Sequence, residues 1–213
     1  MRITVLGGTG YAGSNIVAEA AARGHEVTSW SRTAPAEAVA GVTYRTGSLT
    51  DSANLAAAVD GADVVVETIA PRGDMFGRVA PLVAELAQLA EAAGVRLGVV
   101  GGAGSLHVAE GGPRLLDLDT FPEAFLPEAL ELTQVLTDLQ ARDGSLDWFF
   151  VSPAAGFGGY APGERTGHYR LGGDVLLSDE DGNSEISGAD FAIALVDELE
   201  KAGHSRRRFT VAY

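Results

Sequence analysis

From Val5 to Gly13 the chain reads VLGGTGYAG, with three glycines between an apolar run, Arg2 to Leu6, and a helix-patterned run, Tyr11 to Arg23, and a fourth, Gly13, in the first turn of that run. From Gly8 the spacing is G-x-G-x-x-G, and from Gly7 it is G-x-x-G-x-x-G; Gly10 and Gly13 belong to both. Each glycine answers a separate steric demand. The first lets the chain turn sharply off a strand, Gly10 leaves room for a pyrophosphate, and Gly13 lets the following helix pack close to the sheet. The unpaired N–H groups and positive dipole end of that helix then face the phosphates. A strand before the turn and a helix after it are the context this pattern requires, so Gly7, Thr9, Gly10, Tyr11, Ala12 and Gly13 are the first candidate dinucleotide contacts.

The rest of the chain continues the alternation. Strand-like runs fall at Glu26 to Trp30, Thr43 to Arg45, Val64 to Thr68, Arg96 to Val100 and Asp147 to Val151, with helical patterns at Ser52 to Val59, Phe76 to Ala93 and Pro122 to Arg142. A final helix is expected at Ala189 to Lys201 and a last strand at Arg208 to Ala212. This order predicts an α/β fold, a doubly wound parallel sheet of the Rossmann type, with residues 1–213 as a single domain. Two stretches rich in Gly and Pro, Gly101 to Phe121 and Ser152 to Gly188, follow predicted strands. Ligands of open α/β sheets bind outside the carboxyl ends of the strands, so these are the expected substrate loops. The second contains a strand-like piece, Tyr169 to Leu177.

Composition narrows the function. A net charge of −14 disfavours nucleic acid, whose binding depends on Lys and Arg displacing phosphate counterions. Without cysteine there is no disulfide, thiolate nucleophile or cysteine metal site. No apolar run reaches the roughly 18 residues of a membrane span, and the N-terminus lacks signal-peptide character. A cytoplasmic protein acting on a small-molecule acceptor, as a monomer or a homodimer, is the expectation.

Folds that prefer NAD carry an Asp or Glu after the second strand, about 20 residues past the glycine turn, to hold the ribose hydroxyls. Here the segment reads Ser31-Arg32-Thr33. A carboxylate would repel a 2′-phosphate, whereas an arginine pairs with it and two hydroxyls can donate to it, so NADP(H) is favoured over NAD(H). In the alternative, Arg32 is solvated or stacks on adenine. Ser48 and Leu49, after the third strand, are expected near adenine, and Ala70 and Pro71, after the fourth, near the ribose.

Most short-chain dehydrogenases use a Tyr with a Lys four positions later. That pair is missing: four residues beyond Tyr11, Tyr44, Tyr160 and Tyr169 stand Asn15, Ser48, Glu164 and Gly173, Tyr213 is last in the sequence, and the one lysine is Lys201. Ser105 and His107 follow the fifth strand and are the candidate catalytic, ring-orienting residues. Neither a metal-ligand grouping nor a G-x-S-x-G elbow is present.

Six segments together carry a resemblance: GGTGYAGS at Gly7, VVGGAGSL at Val99, DWFFVSPAAGF at Asp147, ERTGHYRLGGD at Glu164, ISGADFAIALVDELE at Ile186 and RRFTVAY at Arg207. They span essentially the whole chain, which resembles the NADH-flavin reductase family of atypical short-chain dehydrogenases. The resemblance implies a nicotinamide cofactor and reduction of flavins or similar conjugated rings, with flavin as substrate. A flavin accepts hydride at a ring nitrogen and takes its proton from solvent, which suits a site without Tyr and Lys. Phe157, Tyr160, Met75 and Phe76 are the candidate surfaces for such a ring. Arg165 and Arg170 either meet a flavin phosphate or pair with Glu164 and Asp174, and Asp190 is expected to cap the last helix. A non-catalytic NADP(H)-binding redox sensor is the alternative function; a sugar-nucleotide epimerase is disfavoured, because it too needs the Tyr and Lys.

Overall fold

A computed structural model describes residues 1–213. The strands are β1 (Arg2–Leu6), β2 (Glu26–Ser31), β3 (Thr43–Thr46), β4 (Val64–Glu67), β5 (Arg96–Val100), β6 (Trp148–Pro153), β7 (Arg170–Gly172) and β8 (Arg207–Ala212). The helices are α1 (Tyr11–Ala22), α2 (Ser52–Val59), α3 (Val79–Ala93), α4 (Leu126–Ala141) and α5 (Gly188–Lys201). One sheet holds all eight strands in the order β3-β2-β1-β4-β5-β6-β8-β7; all pairs are parallel except β7 with β8. Long crossovers between parallel neighbours put helices on both faces, so the central strands are buried twice over and read as nearly unbroken apolar runs.

Alternation along a strand divides the core in two. Phe149 and Val151 of β6 join Ile3, Val5, Ile16 and Phe191 in a layer under α1 and α5. Trp148 and Phe150, one position out of step, join Leu6, Val65, Leu86 and Leu97 under α2, α3 and α4. The carboxyl ends of β1 and β4 are neighbours, with Leu6 paired to Trp30 on one side and Glu67 on the other. This is where the strand order reverses, and a crevice opens at such a point.

The glycine turn is shaped by contact. Gly7 sits at φ +81°, a conformation that a side chain strains. A Cβ at Gly13 would lie 2.3 Å from the Gly7 carbonyl oxygen, so only glycine lets α1 pass this close to the turn.

The three largest departures from the expected boundaries have local causes. Helix α3 starts at Val79, not Phe76, because Gly77 at φ +70° interrupts the helix. The Glu131 carboxylate caps the start from across the helix pair, accepting from Gly77, Val79 and Ala80 N–H. Helix α4 starts at Leu126, after a 3-10 turn at Glu123–Phe125, with a proline in its first turn. Strand β7 stops at Gly172 because the backbone then leaves β8 and Val175 bridges to His107, while the Asp174 side chain still reaches back to Arg208 of β8. No helix is long and apolar enough to cross a membrane.

Candidate cofactor and acceptor site

A cavity of about 1010 Å³ lies along the carboxyl ends of the strands. Its size is at the upper end of small-molecule pockets, roughly 300–1,000 Å³. It brings together Gly7, Thr9, Gly10, Tyr11 and Ala12 from the glycine turn, Ser31 and Arg32 from β2, Ser48 and Leu49 after β3, Ala70 after β4, and Ser105 after β5. Four expected residues lie elsewhere. Gly13 is buried behind the turn and acts through packing. Thr33 opens onto a second recess of about 400 Å³, beyond Thr9. Pro71 is buried and, like His107, is not part of the lining.

The turn is held before any ligand arrives. Gly7 N–H donates to the Trp30 carbonyl at 2.8 Å, and Thr9 N–H to Ser31 Oγ at 3.1 Å, tying the glycine turn to the end of β2. Helix α1 begins at Gly10 with no side-chain cap and no acid in its first turn. By contrast, Asp51 caps α2 and Ser187 caps α5. The open N-terminus of α1 faces the cavity, where an anionic phosphate would meet unpaired N–H groups; α4 also starts uncapped on the cavity wall, but with Glu128 in its first turn. At Gly10 a Cβ would touch only the Gly7 carbonyl oxygen, at 3.2 Å, so the protein itself barely constrains that position.

The far end of the cavity is apolar and aromatic. Met75, Phe121, Phe125, Leu132, Phe157 and Tyr160 line it, whereas Phe76 points to solvent. Phe157 is wedged between Tyr11 and Phe191, with ring centroids at 5.2 and 4.5 Å. The acids on the cavity wall are both engaged: Glu128 with Arg72, and Asp74 with Arg32. Lys201 is taken up by Asp197 at 2.6 Å.

Ser105 is nearly buried, and its Oγ accepts from Arg208 at 2.8 Å, leaving the hydroxyl proton free to donate. Arg208 also holds Asp174, which fixes the β5 exit loop to the edge of the sheet. His107 takes a structural place in the same arrangement. Its Nδ1 lies 2.7 Å from the Gly112 carbonyl oxygen, and its backbone bridges to Arg114 and Val175. It does not reach the cavity to orient a ring.

The arginines of the RTG segment pair differently from both expectations. Arg165 meets Glu19 of α1 at 2.7 Å, and Arg170 donates to the carbonyls of Ser178 and Tyr213. Neither is left for a flavin phosphate. Asp190 likewise does more than cap: Ser187 is the cap, accepting from Asp190 N–H at 3.0 Å. The Asp190 carboxylate gathers the RTG segment, accepting from Thr166 and Gly167 N–H and from the Tyr213 hydroxyl at 2.6 Å. Desolvation pushes its pKa up, but the hydrogen bonds from Tyr213, Thr166 and Gly167 prevail and hold it at about 2. Tyr11 closes the loop, accepting from Gly188 N–H at 2.9 Å and donating to the Pro162 carbonyl. The flap over the cavity is thus tied to the glycine turn.

One ionisable group is not foreseeable from the sequence. Glu67, the last residue of β4, is fully buried; one oxygen accepts from Ile69 N–H at 2.5 Å and the other has no partner. Burial pushes its carboxyl up to about 8 against that single hydrogen bond. An acid ending an apolar strand looks like an ordinary strand terminus, and only the packing of α3 and its neighbours over this face reveals it.

Known proteins resemble this chain in sequence and fold. The model of an NAD(P)H-binding family matches residues 7–202. The uncharacterized protein YwnB of Bacillus subtilis (strain 168) is 40% identical over 213 residues, 99% of this chain and 98% of its own. Among solved structures, a "putative NADH-flavin reductase" from Streptococcus pneumoniae TIGR4 is 36% identical with a TM-score of 0.84, covering 100% of this chain and 99% of that one. A "putative epimerase" from Bacteroides thetaiotaomicron is 34% identical with a TM-score of 0.89, covering 100% and 96%. With the glycine turn, the open helix terminus and the strand-end cavity in place, the chain belongs to the NAD(P)H-binding family, among the atypical short-chain dehydrogenases that include the NADH-flavin reductase group.

Proposed function

We propose that this protein is an NADPH-dependent reductase that passes hydride directly to a flavin or a quinone-like conjugated ring. The observation that carries the reading is the aromatic and apolar far end of the cavity, whose wall has no Tyr–Lys pair and whose two acids are each held by an arginine. An acceptor that takes its proton from solvent needs stacking and exclusion of side reactions, not a protein acid. The same absence argues against epimerase chemistry, despite the similarity to a protein described in that way. Ser31 and Arg32 at the end of β2, where the sequence itself supplies no acid, support NADP(H) over NAD(H).

The test is loss of the NADPH near-ultraviolet absorbance with riboflavin, FMN, FAD or a quinone as acceptor. Sustained oxidation is the expected result. Tight NADPH binding without turnover on any of them would overturn the enzyme reading in favour of a redox sensor.

A further inference from the structure

Arg32 already has an anion. Its guanidinium is paired with Asp74, which comes from the 3-10 turn at Gly73–Met75 after β4, so the pair spans the gap between β2 and the β4 exit. Arg32, Asp74 and Arg78 all line the cavity, and Arg78 stands immediately before α3, one turn of chain beyond Asp74. The Asp74 carboxyl is held below the ordinary aspartate range, first by the hydrogen bond from Arg32 against desolvation, then by the charge of Arg32 and, last, that of Arg78. Both members of the pair are more than half exposed, at 62% and 66%, so water screens the bond and little opposes its exchange for a stronger one.

We propose that Asp74 is a cofactor-specificity residue: it occupies Arg32 until the 2′-phosphate of NADPH displaces it, and Arg78 receives the released carboxylate. The inference rests on the NADP(H) reading above. A phosphate monoester carries roughly −1.5 to −2 charges and three acceptor oxygens, so it outcompetes a singly charged carboxylate for one guanidinium. The neutral 2′-hydroxyl of NADH has no such advantage and leaves the Arg32–Asp74 pair standing. Arg78 is a positioning residue here, because it keeps the displaced Asp74 from repelling the incoming phosphate.

Calorimetric titration of NADPH and NADH into the wild-type protein and Asp74→Asn, Arg78→Gln and the double variant tests this, with thermal melts to confirm folding. Asp74→Asn is expected to tighten NADPH at least about threefold and to leave NADH within about twofold, a gain worth ~0.65 kcal/mol at threefold. Arg78→Gln is expected to weaken NADPH alone, and this loss should vanish in the double variant. If Asp74→Asn leaves NADPH unchanged, or weakens NADH, Asp74 is no competitor, and in the second case it is a ribose-hydroxyl acceptor. An Arg78→Gln loss that persists in the double variant would overturn its role through Asp74. The cofactor reading fails separately: a wild-type preference for NADH sinks it, while the Asp74→Asn response still decides the inference.

Discussion

Gly10 and Gly13 sit three positions apart in one motif and are glycine for different reasons. A Cβ at Gly13 meets the Gly7 backbone at 2.3 Å, while one at Gly10 meets only a single carbonyl oxygen at 3.2 Å. Gly10→Val is therefore expected to keep a melting temperature near wild type and lose NADPH binding, because its branched side chain takes the space of the pyrophosphate. Gly13→Ala is expected to lower the melting temperature, since α1 must move. A folded Gly10→Val protein with unchanged NADPH affinity would place the phosphates elsewhere. A second contrast separates Ser105 from His107. Ser105→Ala is expected to reduce turnover modestly, by less than about 100-fold, through lost orientation, whereas a positioned acid is typically worth ~100-fold to 10,000-fold. His107→Ala, acting outside the cavity, is expected to affect stability more than turnover. A loss beyond roughly 1,000-fold for Ser105→Ala at unchanged NADPH affinity would assign it a proton-donor role.

Among the elements, the flap between β6 and α5 is an ordered structure tied down at Asp190. Its carboxyl, at about 2, lies below the 3.8 of a free aspartate, so the carboxylate stabilises the fold above about pH 4, and that contribution is lost as pH falls from about 4 through 2. A tenfold difference in proton affinity between folded and unfolded chains is worth about 1.4 kcal/mol, which makes the contribution roughly 2 kcal/mol at neutral pH. Asp190→Asn should melt below wild type at pH 6, and the gap should narrow toward pH 2; a gap independent of pH would assign the effect to shape instead of charge. The sequence blocks containing this flap are recognisable, but their pairings are not. Arg165 finds Glu19 and Arg170 finds carbonyls because α1 and the end of β8 come within reach only after folding. Local neighbours in sequence, Glu164 and Asp174, are the wrong partners for that reason. The start of α3 is displaced by a different cause, a left-handed Gly77 within an otherwise helical pattern.

For the whole molecule, the strand order and the glycine turn follow from local pattern, because apolar alternation and turn chemistry act over a few residues. What local pattern does not carry is burial from distant elements, and Glu67 shows its consequence. With a folded pKa of about 8 against an ordinary 4.5, Glu67 binds its proton more tightly in the folded state, so stability is present in full below about pH 4.5 and declines as pH rises toward 8. Glu67→Gln keeps the acceptor for Ile69 N–H and removes the charge. Its melting temperature relative to wild type is expected to rise from pH 5 to about pH 8 and then level off toward pH 9. A constant difference across that range would mean that Glu67 does not change its protonation there.

Direct passage of hydride from NADPH to a conjugated ring in the strand-end cavity is open to a single decisive measurement. NADPH-loaded protein is mixed with riboflavin or a quinone under single-turnover conditions, with and without deuterium at the transferred nicotinamide position. Acceptor reduction is expected in step with NADPH oxidation, slower with the deuterated cofactor, and lowered by less than about 100-fold by Ser105→Ala. Bound NADPH that reduces none of these rings, or a rate that collapses with Ser105→Ala, would contradict direct transfer without a protein acid.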